Sequence, residues 1–206
     1  MCNELGPHEL MQTATMSKNV VFVMLAESHD EAFIEMRNFV EKIQLAGLGR
    51  MSQTSAQLSG ETEAFGWVLD RGDLAARIYD DPRLPGMYLS LTGADALMAT
   101  AAELAVRTFD LATIDEAITA AERGMSEDPA LLVMAALVID KSNHARFTKL
   151  MKRAFKSNAI DQRRAAGEAA GVVATRAAKT LLKDAARCEK DAVLRRQFEA
   201  LLELWH

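Results

Sequence analysis

After Leu111 the chain changes character, and that change limits the folds open to it. Residues 1–111 carry a net charge of −8 and residues 112–206 a net charge of +3, within a 206-residue chain of net charge −5. Glycine, aromatic and β-branched residues are denser before the change, whereas alanine, leucine, arginine and lysine dominate after it. The first composition suits strands mixed with helices; the second suits helices alone. The expectation is an α+β chain in three stretches. Residues 1–16 read as a disordered tail or extension, 17–111 as a small, acidic, mixed α+β domain, and 112–206 as an all-α repeat region.

Hydrophobic periodicity fills in the elements. The segment 19–26 is continuously apolar from Val20 onward and rich in valine, as in a central strand buried on both faces. Ser28 and Asp30 offer N-caps to a helix near 30–46, with Phe33, Met36, Val40 and Ile43 on one side. A half-exposed strand is expected from Met51, while residues 63–70 fit strand and helix equally well. Residues 75–93 read as two short strands about a Pro/Gly turn, followed by a helix near 95–109. A small sheet with helices on one face accommodates this order, and a ferredoxin-like arrangement is one version of it. Beyond residue 112 come six helical segments: 113–124, 129–139, 144–156, 161–174, 175–188 and 191–205.

Charge within this helical half is uneven. Between Lys141 and Arg196 there are fifteen Lys or Arg and five Asp or Glu. Arg146, Lys149, Lys152, Arg153 and Lys156 recur at spacings of three and four in one segment; Arg176, Lys179, Lys183 and Arg187 do so in another. Such spacings place side chains along one side of a helix. Any amphipathic helix needs a solvated face, but a soluble surface ordinarily intersperses both signs. These nine residues are therefore the candidate binding residues. The acidic first half could also dock on them and leave nothing to bind.

Three segments of the helical half align with one another. They begin at Asp128, Asp161 and Ala192, and the last two share an arginine pair, Arg163–Arg164 and Arg195–Arg196. On these residues the region 112–206 is similar to HEAT-like repeats, although the first segment lacks the arginine pair. The resemblance implies paired helices stacked as a solenoid, with the two basic segments as second helices lining a concave surface. It implies a scaffold that binds, not a reaction.

Motifs for chemistry are missing from the sequence. "AGLGR" (46–50) follows a helix and lacks the Lys-Ser/Thr ending of a phosphate loop; no GxSxG or HExxH occurs. HEAT-like di-iron hydroxylases use several His-Glu pairs, and here the one His-Glu lies at His8–Glu9. His29–Asp30–Glu31 reads as helix-start chemistry, and Asp80–Asp81–Pro82 as a turn. A glycosylase-like role would need an acid among the cations, for which Asp161, Glu168 and Asp184 are nearest in sequence. No enzyme activity, metal or cofactor is expected.

The expected function is thus a non-catalytic protein-binding module, in one version a small cytoplasmic inhibitor of the immunity-protein type. Nucleic-acid binding through a basic concave face is the alternative, favoured by the clustered cations and opposed by a pI near 5.5 and the lack of interleaved aromatics. The longest apolar run, Val20 to Ala26, is too short to cross a membrane. Cys2 and Cys188 lie at opposite ends of the sequence, which suits a reducing, cytoplasmic setting.

Overall fold

The computed structural model describes residues 18–26, 28–57 and 63–205; the expected tail, residues 1–16, lies outside them. Among the described residues the first half forms a six-stranded antiparallel sheet in the order β2-β3-β4-β5-β1-β6. Its strands are β1 (Lys18–Met24), β2 (Met51–Gln57), β3 (Glu63–Leu69), β4 (Leu74–Asp80), β5 (Met87–Gly93) and the two-residue β6 (Leu111–Ala112). Helix α1 (His29–Leu45) follows β1, and α2 (Asp95–Val106) follows β5.

Short connections dictate the order. Strands β3 and β4 are joined through Gly72, whose φ of 74° suits a residue without Cβ and whose N–H reaches the Leu69 carbonyl at 2.7 Å. A parallel crossover needs a dozen or more residues, so β2 to β5 run as consecutive hairpins. This meander is not the ferredoxin-like arrangement expected as one version of the fold. The segment 63–70, which suited helix as well as strand, is a strand because β2 and β4 both pair with it.

Pairing register sorts the two faces of the sheet. Trp67, Ala76 and Leu91 lie in one row, and Phe65, Ile78, Leu89 and Phe22 in the next. These rows face α1 and α2, closing a core with Met36, Phe39, Ile43, Met98 and Ala101. The opposite face is smaller and more polar, carrying Arg77, Ser90 and the stacked rings of Tyr79 and Tyr88, 4.8 Å apart.

The second half is helical as expected: α3 (Ile114–Gly124), α4 (Ala130–Val138), α5 (His144–Phe155), α6 (Ile160–Val173), α7 (Arg176–Cys188) and α8 (Ala192–Glu203). Local chemistry starts several of them. Thr113 and Glu116 form a reciprocal capping box on α3, Thr175 accepts from Ala178 N–H at the start of α7, and Asp191 caps α8. Helices α4, α6 and α8 lie side by side, and α5 and α7 lie against each other beside them. Alanines 166, 169 and 170 let α6 approach its neighbours closely, around Phe147, Met151, Leu182 and Phe198. The two halves meet where α4 packs on β1. Leu111 and Ala112 end the sheet, one connecting residue before α3.

Candidate interaction surface

Helix α5 buries Phe147, Leu150, Met151 and Ala154. At about 100° per residue the side of the helix opposite these is occupied by Lys149, Lys152 and Lys156, and all three are exposed. Helix α7 buries Ala178, Leu182 and Ala186. Opposite them stand Arg176, Lys183 and Arg187, likewise exposed. Helices α5 and α7 contact each other, and each turns three of the nine candidate cations to solvent. Among the described residues, Lys149, Lys152, Lys156, Arg176 and Lys183 have no ion pair or side-chain hydrogen bond, and Arg187 has only Asp184 at 4.0 Å.

The other three are committed within the fold. Arg146 lies on the flank of α5 toward α3, where Nε and Nη2 donate to the Glu122 carboxylate at 3.0 and 2.7 Å and Nη1 donates to Asp115 at 3.0 Å. This guanidinium holds the Glu122 carboxyl below the usual carboxylate range. Two turns on, Arg153 donates from Nη2 to the Glu122 carbonyl at 2.8 Å, satisfying an orphan acceptor in the last turn of α3. Lys179 donates from Nζ to the Trp205 carbonyl at 2.7 Å, beyond the end of α8. These are ties between helices rather than free cations.

The arginine pair separates in the same way. Arg163 enters the helix packing and grips Glu189 with two hydrogen bonds, Nε to Oε2 at 2.7 Å and Nη2 to Oε1 at 3.0 Å. The Glu189 side chain is 3 % exposed, and its partner pulls the carboxyl pKa down. Arg164 pairs with Asp161. Arg195 and Arg196 are both exposed on α8.

Among the described residues, the one acid paired with a cation of the α5–α7 surface is Asp184, beside Arg187. Every ion pair among the described residues lies within one half of the chain, so none joins an acid of the sheet half to any of these cations. Of the acids a glycosylase-like role would need, Asp161 and Asp184 each sit beside an arginine. Glu168 is on α6, not on this surface. Its carboxyl is pushed up by the crowding of protein around it, against the pull of Arg83 and Arg164.

Other sequence candidates resolve into structural roles. Ser28 is the N-cap of α1, accepting from Glu31 N–H at 3.2 Å. His29 instead reaches across to Asp80, with Nε2 2.6 Å from Oδ2 and its ring edge-on to Phe65. Asp81 is buried in its turn and takes two hydrogen bonds from the Arg83 side chain and one from its backbone N–H. Among the described residues no group of three or more His, Cys, Asp or Glu side chains is placed to hold a metal ion, and no helix is long and apolar enough to cross a membrane.

No protein-family model matches the chain, and no curated protein or solved structure is significantly similar to it.

Proposed function

We propose that the protein is a non-catalytic binding module with HEAT-like helices, which takes an acidic stretch of a partner protein on the α5–α7 surface. One observation carries this reading: five exposed cations on two adjacent helices have no ion pair or side-chain hydrogen bond among the described residues. Uncompensated like charges repel one another and oppose folding. A face of this kind costs stability and gains its value in association, where it speeds encounter and selects an oppositely charged surface. The paired helices in two layers support the HEAT-like reading. A protein is favoured over nucleic acid because no aromatic side chain stands among these cations; Phe147 is buried and Phe155 half-buried on the packed side. An inhibitor of the immunity type, acting in the cytoplasm, is one concrete form of such a module.

The test reverses Lys149, Lys152 and Lys183 to Glu together, which leaves the tying residues Arg146, Arg153 and Lys179 intact. Affinity capture from cell lysate is run with and without nuclease. Exposed pairs are worth about 0.2–1 kcal/mol each, so losing three lowers partner affinity by roughly threefold to a hundredfold. Retained proteins that survive nuclease and vanish with the triple variant support the proposal. Capture unchanged by the reversal discards this face, and capture abolished by nuclease transfers it to nucleic acid.

A further inference from the structure

Strand β1 has the composition of a strand flanked on both sides, yet its outer neighbour is short. β6 pairs only with Val23 and Met24, and Leu25 N–H extends that line to the Asp110 carbonyl at 2.9 Å. In an antiparallel strand each residue points its N–H and C=O to one side, and the side alternates along the chain. Leu25 fixes the parity. Val23, Val21 and Asn19 therefore turn their backbone groups outward, away from β5. Val23 is met by Ala112, but among the described residues no backbone group meets Asn19 or Val21.

Along this open edge lies a cleft of about 400 Å³. Val20, Val21 and Phe22 of β1 line it together with Ile114, Leu137 and Ile139 from the helical half, and Asn19 and Asp140 add polar groups. Each of these six apolar side chains is half-buried. The cleft thus joins an edge whose backbone groups at Asn19 and Val21 meet no backbone partner among the described residues and a half-buried, mainly apolar lining beside it.

We propose that this cleft is a strand-acceptor site, in which one extended segment of a partner polypeptide, apolar at alternate positions, adds to the outer edge of β1 in line with β6. Two donor–acceptor sets two residues apart repeat at about 6.6 Å, the spacing an extended backbone offers along its length. Main-chain hydrogen bonds hold such a segment, and the wall of α4 and its C-terminal connection selects its side chains. The same wall limits the occupant to a single strand. A second copy of this chain would bring its own β1 with an identical wall beside it, so a free segment fits where a sheet edge does not. This site is separate from the α5–α7 surface and does not depend on it.

The probe is the capped peptide acetyl-Thr-Val-Thr-Val-Thr-Val-amide, titrated to millimolar concentration into the full ¹⁵N-labelled chain. A peptide with lysine in place of each valine is the control. Chemical-shift changes are expected at Asn19, Val21 and Leu137, with none from the lysine peptide. Val21→Pro removes an outward donor without touching the ladder to β5, and Leu137→Glu charges the apolar lining; each should weaken binding at least tenfold. If Val21→Pro does not fold, Leu137→Glu and a peptide N-methylated at its valines carry the test. Equal binding by the variants, or shifts confined to other regions, overturns the proposal. So does a Val21 amide that exchanges slowly in the free protein, which would give the edge to this chain itself, or slows with protein concentration, which would give it to a second copy.

Discussion

At the scale of single residues, position relative to a neighbour decides whether a cation is free. Arg146 and Lys149 are three residues apart on α5, but Arg146 lies on the flank that meets α3 and finds Glu122, while Lys149 points into solvent. Helical spacing placed both on the charged side; it could not show where α3 would stand. The same holds for Arg163, whose partner Glu189 comes from beyond the end of α7. Replacing Arg163 by Ala leaves a buried carboxylate without its countercharge, and loss of about 3 kcal/mol is expected from urea unfolding at pH 7. The pH dependence follows from sign. The folded-state pKa of Glu189 is lowered, so its contribution is full above the ordinary carboxylate pKa and fades as pH falls through and below it. Arg163→Ala should flatten this acid limb of the stability profile; an unchanged limb would deny the pair its role.

Among the elements, legibility tracks how local the cause is. Helix starts at Ser28, Thr113, Thr175 and Asp191 carry their caps in adjacent residues, and the expected helix boundaries fall within a few residues of those observed. Residues 63–70 offered no such signal. Ala64, Trp67 and Leu69 are buried while Phe65 and Val68 are half-buried, a pattern that suits either period, and only pairing on both sides makes the segment β3. The incomplete outer pairing of β1 was equally hidden, since a valine-rich run reads the same whether its neighbour has two residues or seven. Helix α6 holds a further case. A Cβ added at Gly167 would come within 2.8 Å of Phe198 Cδ1, and nearer still to Cε1. Gly167→Ala gains about 1 kcal/mol of helix propensity but overpacks the α6–α8 contact, which costs about 1–3 kcal/mol. A net fall in melting temperature is expected; a rise would show that α8 yields easily at this point.

For the whole molecule, the described residues form two cores, one beneath the sheet and one among the helices, joined where α4 meets β1. Opposite net charges on the halves raise the expectation that one covers the other. The contact is instead made by α4, an apolar helix without a charged residue, while α5 and α7 lie in the other helical layer. The measurement that bears most directly on this arrangement is the stability of the triple variant Lys149→Glu, Lys152→Glu, Lys183→Glu as a function of salt. If the cations stand together in solvent without partners, the variant is at least as stable as the parent at low ionic strength, and the parent gains more stability as salt screens its repulsion. A variant destabilised by more than about 2 kcal/mol at low salt, with the difference vanishing at high salt, would mean that these lysines are already paired within the protein, and the open cationic surface would not exist.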